Sequence, residues 1–453
     1  MLYRKIAKEI EEYYASSRNA LLLTGARQTG KTYSIRKFGK SFKSFVELNF
    51  IENPDAVKLF DGVTDAKTLL FRLSALVDEP LIPGETLIFF DEVQVCPDIV
   101  TAIKFLVDEG SYRYILSGSL LGVELNNLRS EPVGYMGIKT MYPLCFEEFV
   151  LNVGVSPSVI DVLKEKWEKR EQIDEVVHNK FMELFRHYLV DGGMPAAVAS
   201  YIDTNNLMDV LTVQNDIVEL YRRDISKYAE KDKLEIKEIF DLIPSELKAK
   251  NKRFILKSLN RHAKFNKYKD SFLWLKDAGV AIPVYNVEEP KSPLKLAETR
   301  NLFKLFSNDV GLLAAQYADG IQRRILEGDK DLNFGSVYEN AVAQELVAAG
   351  YAPYYYNNKK RGELDFVIQE NDSVLPIEVK SGKDYESHRA LSNVLQCREF
   401  DIREALVLSG HNLSVNGPVV YAPIYMTMFL QREADIPTHY AIDLSALNKL
   451  KQS

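Results

Sequence analysis

Residues Gly25, Ala26, Arg27, Gln28, Thr29, Gly30, Lys31 and Thr32, "GARQTGKT", decide how the first part of this chain is read. They lie within "ALLLTGARQTGKTYSIRKF", which has the form strand, glycine loop, helix, with Leu21 to Thr24 as the strand. The octet fits G-x-x-x-x-G-K-[ST]. Gly25 and Gly30 let the backbone curl so that successive N–H groups point inward, where a phosphate would lie. The positive end of the following helix adds to that field. Lys31 would reach β- and γ-phosphates, and the Thr32 hydroxyl would bind Mg²⁺. A plain glycine turn before a helix is the competing reading, and the strand–helix context favours nucleotide binding.

Two further stretches support a nucleotide site. "ETLIFFDEVQ" is an apolar strand, Leu87 to Phe90, that ends in Asp91 and Glu92. A buried parallel strand that delivers acids at its C-terminal end suits metal binding by Asp91. Glu92 would then polarise the attacking water. "YRYILSGSLLG" is another strand, Tyr112 to Leu116, followed by Ser117 and Ser119, whose hydroxyls could sense a γ-phosphate; Ser and Gly also end many strands as ordinary turn residues.

Together with "MYPLCFEEFV" (141–150), these blocks resemble the AAA+ ATPases of bacteria and archaea that precede a domain of unknown function. The resemblance implies a doubly wound parallel sheet over residues 1–150, ATP and Mg²⁺. It also implies assembly into a homo-oligomer, because such modules commonly borrow a neighbour's arginine. One departure stands out. Many relatives carry Gly-Arg ahead of "MYPL", whereas "PVGYMG" has Tyr135 there, leaving Arg129 as the nearby arginine.

The whole chain has 453 residues, enough for about two to four domains. Its composition, 46% hydrophobic and 27% charged, is that of a globular protein, and its net charge of -7 argues against a nucleic-acid-coating protein without excluding a local basic groove. Cys96, Cys145 and Cys397 follow no zinc spacing and read as buried thiols of a reducing compartment. The start, "MLYRKIAKEIEEYYASS", reads as a charged amphipathic helix rather than a signal peptide. No apolar run approaches the roughly 18 residues needed to span a bilayer. A cytoplasmic location with no membrane partner is the expectation.

Residues 151–230 read as charged helices, broken at "DGGMPAAV" (191–198) by a helix-connecting corner. Residues 231–330 contain a helix ending at Ala278-Gly279 and two β-type runs, a pattern that resembles a winged helix. Just before it, "KAKNKRFILKSLNRHAKFNKYKDS" interleaves Lys and Arg with Phe254, Phe265 and Tyr268. Such a stretch suits either a phosphate backbone or a solvated helix pair.

Residues 331–453 read as a compact α/β unit: helix, strand, hairpin strand, strand, helix, strand. In "PIEVKSGK" (376–383), Ile377 and Val379 alternate with Glu378 and Lys380. Either that second face is wet, or a carboxylate and an ammonium are held side by side for chemistry. Asp365, Glu378 and Lys380, with Glu339 on the preceding helix, resemble the PD-(D/E)xK signature of a restriction-endonuclease-like fold. Asp365 and Glu378 on adjacent strands would share Mg²⁺, and Lys380 would orient a water beside a scissile phosphate of DNA. The basic turn "NNKKRG" (357–362) is either a phosphate contact or a polar hairpin tip. The expectation is thus an ATPase coupled to a DNA-binding or nuclease-like unit. Its alternative is an ATP-controlled switch that binds protein or nucleic acid without cutting.

Overall fold

The computed structural model describes residues 2–62, 65–119, 134–229, 232–249, 252–317, 320–329, 335–382 and 384–432. Arg129 and residues 433–453 of the expected C-terminal unit lie outside that set.

Five strands build the first sheet: β1 (Ala20–Thr24), β2 (Ser44–Asn49), β3 (Thr86–Asp91), β4 (Arg113–Ser117) and β5 (Met136–Thr140). All neighbours are parallel, in the order β2-β3-β4-β1-β5. Alternation sends Leu21, Leu23, Leu87, Phe89 and Ile115 to one face, against Ile6, Ile10 and Ile35 of two helices. Leu22, Val46, Ile88, Phe90 and Leu116 face the other way, onto Ile99, Ile103 and Leu106 of helix Asp98–Glu109. Helices therefore cover both faces, which is why these strands read as continuous apolar runs. Strand β4 runs one residue further than its sequence pattern suggests, so Ser117 is still part of it.

Helices Pro157–Lys169, Glu175–Asp191, Pro195–Thr204, Leu207–Tyr228, Lys233–Lys248 and Phe265–Asp277 follow. The Gly-Gly corner between the second and third of them is a junction of distant segments. Leu144 N–H donates to the Gly193 carbonyl at 2.6 Å, and Gly193 N–H donates to Asp309 Oδ2 at 2.6 Å. A Cβ on Gly193 would overlap the Leu144 carbonyl, a backbone atom that cannot step aside. Gly193→Ala is expected to lower stability by about 1–3 kcal/mol, measured as an earlier urea midpoint at unchanged slope.

The second sheet has eight strands: β6 (Ala281–Val287), β7 (Glu298–Ser307), β8 (Tyr354–Asn358), β9 (Gly362–Glu370), β10 (Ser373–Val379), β11 (Ala405–Ser409), β12 (Ser414–Asn416) and β13 (Val419–Pro423). Their order is β12-β13-β11-β10-β9-β8-β6-β7. The β6–β7 hairpin is the one read as a wing. It is not free-standing, because β6 pairs in parallel with β8 through Tyr285↔Tyr354 to Val287↔Tyr356. The boundary expected at residue 330 thus falls between segments that share one sheet. A pattern of helix and two β runs specifies a hairpin, but not which strand covers its edge. One apolar core also runs continuously from Ala26 through the middle helices to Leu430.

Candidate functional site

Strand β1 ends at Thr24, and the loop that follows turns through Gly25 (φ 131°) and Gly30 (φ 92°) before helix Lys31–Gly39 starts. Both angles lie in the region that favours glycine. A side chain at Gly25 would also collide with the Met141 carbonyl of the "MYPL" segment. Thr29 is buried, with its hydroxyl donating to Ala26 O at 2.9 Å, while Gln28, also at positive φ, is exposed. Lys31 Nζ donates to Gly25 O and Ala26 O, each at 2.8 Å. Burial lowers its pKa to about 8, while Glu92 and Asp91 pull it back up.

Asp91 is buried at the end of β3 and collects donors from three elements. Thr32 Oγ1 donates to its Oδ2 at 3.0 Å, Asn49 Nδ2 reaches the same oxygen at 3.3 Å, and Ser117 Oγ donates to Oδ1. Burial raises the Asp91 pKa, and the Ser117 bond opposes this. The loop hydroxyl expected on Mg²⁺ and the expected metal-binding acid are therefore already in contact. Hard oxygen donors at this point, beside the loop amides, fit a Mg²⁺ ion carried in with a triphosphate. Glu92 has a left-handed backbone (φ 58°), unusual for this residue type, and its carboxylate accepts from Gln94 Nε2. Ser119 Oγ is buried and has no hydrogen-bond partner among the described residues.

The loop is also clamped from outside. Arg4 Nη1 donates to Thr29 O at 2.7 Å, Nη2 to Tyr142 O at 2.6 Å, and Nε to Glu148 at 3.2 Å. Arg27 pairs with Asp224 of helix Leu207–Tyr228 at 2.7 Å, and Tyr221 OH donates to Arg27 O at 3.1 Å. Arg4, Asn49, Gln94, Tyr221 and Asp224 are absent from the sequence expectations. Only Asn49 carried a signal, as the polar end of an alternating strand, and register pairs it with Asp91.

The pKa of Lys31 has a consequence for binding. Below pH 8 the ammonium is charged in the free protein and meets a phosphate at no cost in protons. Above pH 8 it must gain a proton on binding. ATP affinity is expected to be flat below pH 8 and to fall by up to about tenfold per unit above it. Titration of the protein with a fluorescent ATP analogue across pH 6.5–10 checks this, and a flat profile would contradict it.

The C-terminal acids also come together. Glu339 is buried on helix Gly335–Ala348, Asp365 lies on β9, and Glu378 is buried on β10, where continued register sets it opposite Asp365. Their surroundings differ from the expectation of a shared metal. Lys304 of β7, its side chain wholly buried, places Nζ 3.1 Å from Glu363, 3.4 Å from Glu339 and 3.7 Å from Asp365. Lys252 also pairs with Glu339. Burial, followed by the Asp365 charge, pushes the Glu378 pKa well up. Burial likewise opposes ionisation of Asp365, but Lys304, Lys252 and a hydrogen bond to Glu378 hold that carboxyl below its usual value. Lys380 enters none of the ion pairs of the described residues; its charge acts on Glu378 from a half-buried position. Among the described residues, no group of three or more His, Cys, Asp or Glu is arranged to hold a metal ion. The residues expected to share a metal thus stand beside a buried ammonium, that of Lys304. The one signal for Lys304 was a single lysine within the apolar run "NLFKLFS".

The aromatic residues of the basic stretch pack inward. Phe254 and Tyr268 are buried, and Phe254 stacks on Phe303 at 6.1 Å. Phe265 packs on Phe272 at 6.4 Å. Phe254 and Tyr268 thus belong to the core, with the half-buried Phe265 packed against it. At the β8–β9 tip Lys359 and Lys360 are exposed, while Arg361 lies over the Phe400 ring at 5.0 Å. Tyr135, at the departure from the relatives' arginine, takes Lys104 over its ring at 5.4 Å. Cys96 and Cys145 are buried free thiols, and Cys397 is half-buried.

Comparison with known proteins agrees with the first site. Residues 17–150 match an AAA domain, residues 182–323 a domain of unknown function (DUF8612), and residues 334–425 another (DUF4143). The chain thus carries an AAA-type, P-loop ATPase domain followed by two domains of unknown function. No curated protein matches it. Among solved structures it is similar to a Walker-type ATPase of Pyrococcus abyssi, with 14% identity and a TM-score of 0.43 over 70% of this chain and 96% of that one. It is also similar to the Orc1 protein of Aeropyrum pernix in complex with DNA, with 15% identity and a TM-score of 0.28 over 72% and 94%. A third is Cdc6p of Pyrobaculum aerophilum, with 13% identity and a TM-score of 0.24 over 71% and 93%. No helix among the described residues is long and apolar enough to cross a membrane.

Proposed function

We propose that this protein binds and hydrolyses ATP, and that the nucleotide state controls a binding function of the remaining chain. The contact between Thr32 Oγ1 and Asp91 Oδ2, 3.0 Å long and backed by Ser117 and Asn49, carries the first half. The amides of residues 25–32 bind the β- and γ-phosphates, and Lys31 turns from the Gly25 and Ala26 carbonyls to the same oxygens. Thr32 and Asp91 hold Mg²⁺, which when bound neutralises phosphate charge. Glu92 accepts a proton from the attacking water, and Ser119 donates toward the γ-phosphate. A phosphate-release assay with Lys31→Ala as blank tests this. Loss of one buried cationic donor is expected to cut turnover by about 10²–10³-fold. A wild-type rate equal to the blank removes hydrolysis from the reading.

For the C-terminal unit, the Lys304 ammonium among the acids favours a binding switch over cleavage. Its partner is DNA or protein, met in the cytoplasm and by a chain that assembles as a homo-oligomer. The PD-(D/E)xK reading, with Asp365, Glu378 and Lys380 as its centre and Glu339 beside them, needs a divalent ion at that point. Incubation with DNA and Mg²⁺ beside an Asp365→Ala control distinguishes the two. Cleavage seen only with the unaltered chain restores the nuclease.

A further inference from the structure

We propose that the Lys304 ammonium is the resident cation of the C-terminal acid cluster and closes that cluster to divalent metal ions. The inference deepens the switch reading of this unit and is independent of ATP hydrolysis.

Topology makes the cluster. Period-two alternation puts Glu363 and Asp365 on one face of β9, and Glu378 of β10 faces Asp365 from the neighbouring strand. Helix Gly335–Ala348 adds Glu339. Three carboxylates, Glu339, Glu363 and Asp365, thus lie about one point, with Glu378 beside Asp365 on the next strand. The charge found there is an ammonium. Lys304 Nζ lies within ion-pair distance of Glu363, Glu339 and Asp365, and 5.3 Å from the centre of the Tyr355 ring of β8.

Three features keep a metal out. A divalent ion needs carboxylate oxygens at about 2.0–2.6 Å, and the ammonium fills that volume. Asp365 is also tied to the backbone, its Oδ2 accepting from Val379 N–H at 2.9 Å, so one of its oxygens is already engaged. Finally, Lys304 cannot simply swing aside, because its backbone lies inside the β6–β7 ladder, paired with Val284, and its side chain is wholly enclosed. The cation comes from strand β7, which precedes the acids in the chain, so the cluster is complete only with that hairpin in place.

The test is Mn²⁺ titration of the full chain without nucleotide, read by electron paramagnetic resonance and by thermal melting. Wild type is expected to bind no Mn²⁺ that an Asp365→Asn change removes. Lys304→Ala is expected to gain one Mn²⁺ per chain and to melt several degrees higher with the ion than in EDTA. The double variant Lys304→Ala/Asp365→Asn should lose both effects. Two results overturn the proposal: Asp365-dependent Mn²⁺ binding by wild type, or a folded Lys304→Ala protein that binds none. Should Lys304→Ala be insoluble without metal, recovery of soluble protein on adding Mn²⁺ during refolding supports it. Failure of that rescue, with wild type binding Mn²⁺ through Asp365, counts against it, and with wild type silent the conservative Lys304→Gln variant takes the same titration and decides.

Discussion

Glu92→Gln is expected to leave ATP binding intact and to slow turnover by about 10²–10⁴-fold, the range for losing a general base. The argument is one of elimination at the end of β3. Asp91 is fully engaged by Thr32, Asn49, Ser117 and the Glu92 amide, so its oxygens are committed to holding the metal side of the site. Glu92 is the next carboxylate, with a left-handed backbone, a charge that acts on Lys31, and Gln94 to steady it. Glutamine keeps the size and the hydrogen bond but cannot accept the proton. Phosphate release and fluorescent-nucleotide titration, run side by side, separate the two effects. Turnover that stays near wild type would place the base elsewhere; equal losses of binding and turnover would make Glu92 a structural residue.

The second large effect is on stability. Lys304→Ala in EDTA is expected to cost about 3–5 kcal/mol, the usual penalty for removing one partner of a buried ion pair. Three carboxylates lose their common counter-charge, and Glu339, at 1% exposure, has little water to replace it. Lys252→Ala should cost less, because that side chain is partly exposed and its charge is screened. The pH dependence has a definite sign. The cluster holds the Lys304 pKa above its ordinary 10.5, the Glu339, Asp365 and Glu363 charges outweighing burial. Its contribution is therefore complete below about pH 10.5 and drains away as pH rises through the folded value. Asp365, held below 3.8, contributes above that pH and loses its share as pH falls through its folded value. Urea unfolding of wild type and Lys304→Ala at pH 7 and pH 11 measures both quantities. A difference that does not shrink at the alkaline end contradicts the charge argument.

The nucleotide site was legible because its chemistry is local. Gly25, Gly30, Lys31 and Thr32 stand within one turn, and a loop of that composition between strand and helix has few other uses. Asp91 was legible as the acid that ends an apolar strand. Its partner Asn49 was not, because pairing of β2 with β3 is a long-range event that no local pattern records. The basic stretch stayed open between two readings for a related reason. A phenylalanine between lysines looks the same whether it flanks a phosphate contact or, like Phe254, turns inward onto Phe303.

By itself, then, the sequence determined the phosphate loop and the acids at the end of β3, where local chemistry suffices, and its resemblance to the PD-(D/E)xK signature grouped Glu339 with Asp365 and Glu378. Only the tertiary structure decided that a lysine of an earlier hairpin lies among those acids, that the hairpin extends the same sheet, and that Arg4, Tyr221 and Asp224 clamp the loop. The physical reason is that burial and charge pairing are properties of packing. A lone lysine in an apolar run can reach water or find carboxylates, and which it does depends on strands more than fifty residues away.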